Sequence, residues 1–281
     1  MKPPRSLTVF TRNNPDQTAA GLARLLERAR EARVEVRVPP EEVEKHGLDG
    51  GLVADPDADT DLAVVLGGDG TILSTLRRFA GRAVPTFAFN YGAIGFLATV
   101  ENAELEDGID RALAGEFDVL SLPALTFEKA GERHLAVNDV SFHRRPDMRV
   151  AELGYSVSEQ RLGEVRCDGL VAATAAGSTG YNLANGGPVL AWGVEGFVVS
   201  FIAPHTLTAR ALVVAPDDVL DVVNRSSEEP VDVTTDGLSV CTLAPHEHVR
   251  LRFEHDVAML AQPPGASFYR RMRDKFGRLA Y

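Results

Sequence analysis

A chain of 281 residues is long enough for one large or two medium domains, each with its own core. Its 44% hydrophobic content and mean hydropathy of −0.07 read as a soluble, non-membrane protein, and no run approaches the roughly 18 apolar residues of a membrane span. A formal net charge of −11 at pH 7 argues against a general nucleic-acid binder.

The opening MKPPRSLTVF lacks the long apolar region of a signal peptide, and Cys167 and Cys241 stand in no CxxC arrangement. Free thiols in the cytoplasm are the expectation. Residues 7–10 read as a first strand, and Asn14-Pro15 signals an amphipathic helix running through Glu31. Residues 34–38 alternate as a strand, and the acidic stretch 39–61 reads as a loop or a weak helix. LAVVL at 62–66 is a short buried strand that enters Gly67-Gly68-Asp69-Gly70-Thr71. Residues 72–79 then form a helix with Thr71 near its start. A strand at 84–89 and a helix around 101–113 follow. Strands alternating with helices predict a parallel sheet covered on both faces. Ligands of such sheets bind beyond the C-terminal strand ends, where residues 67–71 and 90–95 fall.

After Gly115 short β-rich runs recur at 119–127, 134–143, 152–157, 198–202, 211–214, 219–223, 231–235 and 249–253. They predict a β-sandwich-like second domain. Within it, residues 168–185 are rich in small side chains and turn from strand into a short helix at Thr179; residues 268–279 read as a basic amphipathic helix. The chain therefore divides into an α/β domain at 1–115, a β-rich domain at 116–265 and a C-terminal helix at 266–281.

The glycines at 67, 68 and 70 remove side chains that would block close approach of a ligand to the backbone. With Thr71 they mark a phosphate cradle of main-chain N–H groups at a helix N-terminus. A lone carboxylate there, Asp69, repels phosphate unless it holds Mg²⁺ or takes a proton from an attacking hydroxyl. The same residues also suit an ordinary strand-to-helix turn. His246-Glu247-His248 has no third ligand at a recognisable zinc spacing.

Several blocks in order now resemble the NAD kinase family. They are LGGDGTIL at 66–73, NYGAIGFLA at 90–98, NDV at 138–140, DGLVAATAAGSTGYNLANGGPV at 168–189, PHTLTARALVV at 204–214 and TTDG at 234–237, with FYRRMRDKFG closing the match. The resemblance implies a domain pair of the NAD kinase/diacylglycerol kinase-like type with its active site between the domains. It also implies transfer of a phosphoryl group from ATP or polyphosphate to the adenosine ribose 2′-hydroxyl of NAD, giving NADP. Asp69 matches the family's catalytic aspartate, and Asn138 with Asp139 the Asn-Glu pair that binds adenosine. Asp168 and the run Thr179, Gly180, Tyr181, Asn182, Leu183 and Ala184 match the dinucleotide wall, with Gly70 beside the catalytic residue; Arg149 and Arg166 fall near the pyrophosphate. Taken alone, Asn138-Asp139 suits a strand-end turn, residues 177–181 a capped helix start, and each arginine a solvated surface position. Phe96 suits either a base-pocket wall or the core, and His205 is read as a structural histidine. Asp139, Ala184 and Leu238 depart from the family's Glu, Ser and Gln. The metal implied is a divalent cation, Mg²⁺ entering with the donor, with no fixed protein site. The family also implies a homodimer or homotetramer whose dinucleotide site is shared between subunits. A lipid kinase of the diacylglycerol or sphingosine type shares GGDGT, but Ile72-Leu73-Ser74 follows here instead of that family's Asn-Glu. A non-catalytic NAD(P)-binding protein is the other alternative.

Overall fold

A computed structural model of the chain describes residues 1–48, 59–92 and 95–277. Two compact units result: Met1–Ser121 together with Ala258–Tyr281, and Leu122–Val257. The divisions read from the sequence lie at 115/116 and 265/266, whereas the units divide at 121/122 and 257/258, so the segment from Ala258 onward belongs with the first unit.

The first unit is built on a parallel sheet of β1 (Ser6–Thr11), β2 (Glu35–Arg37), β3 (Leu62–Gly67), β4 (Pro85–Asn90) and the two-residue β5 (Val100–Glu101). The order is β2-β1-β3-β4, and the outer edge of β4 pairs with β5 and with the end of β17 (His248–Gln262). Every residue of β1, β3 and β4 is buried, as a parallel sheet covered on both faces requires. Helices α1 (Ala19–Glu31) and α4 (Leu105–Ala114) cover one face, placing Leu22, Leu25, Ile109 and Ala112 against Leu7, Val64 and Phe89. Phe10 points the other way along β1 and meets Phe79, just past α3 (Asp69–Arg78), with ring centroids 6.0 Å apart.

Two local differences from the sequence reading have clear causes. The weak-helix stretch contains a real helix, α2 (Pro40–His46), pinned because the buried Glu42 carboxylate accepts the Thr11 hydroxyl at 2.6 Å and Lys45 at 2.7 Å; residues 49–58 of that stretch lie outside the described residues. Helix α3 begins at Asp69, not after Thr71. Gly68 is extended (φ −98°, ψ −176°) and its carbonyl accepts the N–H groups of both Thr71 and Ile72, so the helical turn closes three residues early.

The second unit holds the expected antiparallel β structure. One sheet runs β13 (Leu212–Val214), β12 (Phe197–Ile202), β11 (Gly169–Ala173), β8 (Asp139–Arg144), β15 (Val231–Thr235), β16 (Leu238–Leu243). The other runs β10 (Gln160–Cys167), β9 (Ala151–Val157), β14 (Leu220–Asn224), β17, with β6 (Asp118–Lys129) and β7 (Glu132–Ala136) following. Alternate residues of both sheets, among them Phe142, Leu153, Leu170, Phe197, Leu220 and Leu251, meet in one apolar core. The run 134–143, read as one strand, is two: β7 ends at Ala136 and β8 starts at Asp139. Strands β10 and β16 are additions to the sequence reading, and β17 extends well past residue 253.

Candidate active site

In the first unit Asp69 opens α3 immediately beyond the C-terminal end of β3. Its two carboxylate oxygens are separately held: the Phe96 N–H donates to Oδ2 at 2.9 Å and the Leu97 N–H to Oδ1 at 3.3 Å. Burial raises the proton affinity of Asp69, while those two bonds and the charges of Arg271 and Lys275 oppose the rise. Gly95 must be glycine for this geometry, since a Cβ there would stand 2.7 Å from Asp69 Oδ1. The first N–H groups of a helix have no partner within it, so the turn Gly68-Asp69-Gly70 offers donors to an anion. Gly67 is buried at the end of β3, Gly70 is exposed, and Thr71 is partly buried, its carbonyl accepting the Thr75 hydroxyl. Residues 90–92 beside it are tied down. Asn90 Oδ1 accepts the Gly92 N–H at 3.0 Å, its Nδ2 donates to Glu101 at 2.8 Å, and Arg12 donates to the Tyr91 carbonyl at 2.6 Å.

In the second unit the link between β7 and β8 carries Asn138. Strand pairing stops there because the Asp236 carboxylate, in the tight turn between β15 and β16, accepts the N–H groups of Val137, Asn138 and Asp139 at 2.7–3.1 Å. Asp236 itself sits at φ +47°, a left-handed position that Asp tolerates in such a turn. Asn138 is held from its other side as well. Its carbonyl accepts the Thr174 N–H at 2.8 Å, and Gly177 packs so closely that a Cβ would lie 2.1 Å from that carbonyl oxygen. The side-chain Oδ1 of Asn138 is buried without a hydrogen-bond partner, an acceptor held ready. Asp139 is buried, and burial first and the Asp236 charge second push its pKa up to about 7.

The small-residue segment folds as β11, a 3-10 turn at Gly177–Thr179 and the short α5 (Tyr181–Ala184). Tyr181 is exposed on one side and stacks on His143 on the other, centroids 5.6 Å apart and planes at 17°. Burial lowers the proton affinity of His143, whose Nε2 lies 2.8 Å from Ser141 Oγ. Asp168 is partly buried and accepts the Arg144 Nε–H at 2.6 Å. Thr179 is partly buried with its hydroxyl on the Ala176 carbonyl, Gly180 and Ala184 are exposed, and Leu183 is partly buried. Asn182 is fully buried, its Nδ2 donating to the carbonyls of Ser178 and Pro188 at 3.0 Å, so it holds the loop together. Arg149 and Arg166 are exposed. The His205 side chain is exposed too; what it contributes to the fold is its backbone N–H, donated to the Arg166 carbonyl at 2.7 Å. Phe96 is in the core, 5.0 Å from the Phe276 ring. Glu247 pairs with Lys129 and His248 with Asp221, which disperses the His-Glu-His run.

Sequence reasoning singled out Asp69, Asn138, Asp139 and Asp168 but not what holds them: Asp236, Arg144 and Arg271. Asp236 stood in a quoted block, and its Asp-Gly turn was the available signal. Arg271 lies in the closing block FYRRMRDKFG, which does not tell it from its neighbouring arginines, and nothing local marks Arg144.

Residues 12–117 match the family profile described as the ATP-NAD kinase N-terminal domain, and residues 137–259 the one described as the ATP-NAD kinase C-terminal domain. An NAD kinase of Solibacter usitatus is 32% identical over 271 residues, covering 94% of this chain and 94% of that protein. The chain belongs to the NAD kinase family. An NAD kinase of Gemmatimonas aurantiaca is 34% identical over 229 residues, 79% of this chain and 78% of that one. Among solved structures, yeast NADH kinase complexed with NADH superposes with a TM-score of 0.86 at 21% identity, over 99% of this chain and 89% of that one. An Archaeoglobus fulgidus NAD kinase in complex with ATP gives 0.76 at 24% identity over 98% of each chain. Both share the fold. Members of the family are phosphotransferases, and membership sets aside the lipid-kinase alternative.

Proposed function

We propose that this chain transfers a phosphoryl group from ATP or polyphosphate to the adenosine ribose 2′-hydroxyl of NAD, giving NADP. The observation that carries the reading is Asp69: a single carboxylate at the start of a helix, both oxygens oriented by backbone N–H groups, its proton affinity raised by burial. Asp69 accepts the proton of the attacking hydroxyl, a contribution typically worth roughly 10²–10⁴-fold. The free N–H groups of the Gly68-Asp69-Gly70 turn, flanked by Gly67 and Thr71, receive the donor phosphates. Asn138 offers its unpartnered Oδ1 and its amide to the adenosine. Asp139 accepts from the same half of the substrate with a reach one methylene shorter than the family's Glu. Asp168, oriented by Arg144, and the stretch Thr179–Ala184 with the Tyr181 ring complete the dinucleotide wall. Arg149 and Arg166 supply exposed positive charge toward the pyrophosphate.

Among the described residues no group of three or more His, Cys, Asp or Glu is set to hold a metal ion. Mg²⁺ is commonly held by one or two carboxylates and the substrate's own phosphates. The cation neutralises charge on the transferring phosphoryl group when bound. No helix among the described residues is long and apolar enough to cross a membrane. Cys167 and Cys241 are free thiols, consistent with a cytoplasmic setting. We place the protein there as a homodimer or homotetramer.

The test is NADP formation by purified protein given NAD, Mg²⁺ and either ATP or polyphosphate. Wild type forms NADP, while Asp69→Asn binds NAD normally and loses at least ~10²-fold in kcat. A wild-type protein that binds NAD yet makes no NADP with either donor is the non-catalytic binder, and retention of more than about a tenth of kcat by Asp69→Asn removes the base assignment.

A further inference from the structure

The C-terminal helix α6 (Phe268–Phe276) reaches Asp69 through one peptide group. Arg271, on its first turn, is partly buried and donates through Nη1 to the carbonyls of Phe96 and Ala98 and through Nη2 to Gln262 Oε1 at 2.6 Å. The Phe96 carbonyl and the Leu97 N–H belong to the same peptide unit. One side of that unit accepts from the Arg271 guanidinium, and the other donates to Asp69 Oδ1 at 3.3 Å. The preceding N–H, that of Phe96, donates to the other carboxylate oxygen at 2.9 Å. Lys275, one turn further along α6, pairs with Glu101 at 2.8 Å, and Glu101 accepts from Asn90. The Phe276 ring packs on Phe96.

We propose that Arg271 is a positioning residue for the phosphoryl transfer, clamping the Phe96–Leu97 peptide so that its N–H, with the Phe96 N–H just before it, fixes the Asp69 carboxylate toward the attacking hydroxyl. The proposal rests on the reading of Asp69 as the base. Two effects follow from the geometry. A guanidinium on the carbonyl polarises the peptide and strengthens its N–H as a donor to a carboxylate. The same contact fixes which way the carboxylate faces, where displacement by about 1 Å is enough to lose on the order of 10²-fold in rate. The charged groups facing Asp69 are Arg271 and Lys275 from α6, with Glu101 of β5 beside Arg271. Burial costs the Arg271 charge part of its proton affinity and the two carboxylates return some of it, as expected of a cation placed for its neighbours.

The experiment compares R271M, R271K, D69N and the double variant D69N/R271K. Three readouts are taken with NAD as acceptor: kcat, KM for NAD and the pH dependence of kcat. R271M is expected to lower kcat by ~10- to 100-fold with KM for NAD within about threefold, because the acceptor's own contacts are untouched. The acidic limb of its kcat profile moves to higher pH, since the influences that hold the Asp69 pKa down are weakened while burial persists. R271K reaches fewer of the three acceptors and falls between, with the same direction of pH shift. In the D69N background R271K adds little further loss, because its effect passes through the carboxylate already removed. Should R271M fail to fold, R271K carries the same readouts. An R271K enzyme with wild-type kcat and an unmoved acidic limb overturns the proposal, as does a double variant whose losses multiply. If D69N itself stays active, the base assignment fails instead, which separates the two readings.

Discussion

The Asp139 carboxyl is 6% exposed and lies beside the Asp236 carboxylate, and burial and the neighbouring charge together push its pKa up to about 7. An acid whose folded pKa is raised gives stability that is complete below its unfolded value and is lost as pH rises through the folded one. Between pH ~4 and ~7 the folded chain therefore binds a proton that the unfolded chain releases, and stability falls across that window. An asparagine side chain in its place would keep the shape and remove the charge. Asp139→Asn is thus expected to be more stable than wild type at pH 8, with an advantage that shrinks by at least ~1 kcal/mol toward pH 5, one pH unit of proton affinity being worth about 1.4 kcal/mol. Urea unfolding of both proteins at the two pH values checks this, and an advantage equal at both would mean that Asp139 is charged in the fold throughout. Asp139 is a candidate site residue on the sequence alone because it lies in a contiguous block with Asn138. Its strained protonation is not legible there, because Asp236 approaches from 97 residues away.

At the scale of elements, the sequence reading succeeded where a single period ran unbroken, as in β1, β3, β4 and α1, and faltered where side chains override it. The run 134–143 is strand-like on either side of Asn138-Asp139, and its N–H groups at 137–139 turn to a carboxylate instead of a neighbouring strand. Strand β10 (QRLGEVRC) is mostly exposed and carries a register shift between Arg161 and Gly163, so its alternation is weak. Helix α3 starts early because a glycine carbonyl closes its first turn. The turn at Asp236 is the most consequential of these features. Asp236→Ala leaves three backbone donors without their acceptor, and an unsatisfied buried donor costs about 1–3 kcal/mol. A loss of at least ~2 kcal/mol in urea unfolding is expected together with a raised KM for NAD, since Asn138 and Asp139 lose their placement. Asp236→Asn keeps one acceptor oxygen and is expected to fall between. An Asp236→Ala protein with unchanged stability and KM would show that the β7–β8 link holds its shape by itself.

For the whole molecule the open matter is assembly. The six-stranded sheet ends in β13 on one side and β16 on the other, and both edges carry apolar residues into solvent: Val213 is 49% and Leu238 57% exposed, with Leu207 in the preceding loop at 91%. Exposed edges of this kind pair or are covered in most native proteins. A second copy of the chain is the covering that the family resemblance implies, and the departure at Leu238, where the family has Gln, puts an apolar residue on such an edge. A net charge of −11 opposes the approach of two copies, so added salt is expected to favour assembly by screening that repulsion. If the dinucleotide wall at Asp168–Tyr181 is completed by a neighbouring subunit, specific activity and particle mass fall together on dilution and recover together with salt. Leu238→Lys, which charges the edge, is expected to shift the midpoint of both transitions to higher protein concentration. Light scattering alongside NADP formation over a concentration series reads both quantities. Full activity from a monomer at every concentration would remove the shared site and leave the chemistry of Asp69 to a single chain.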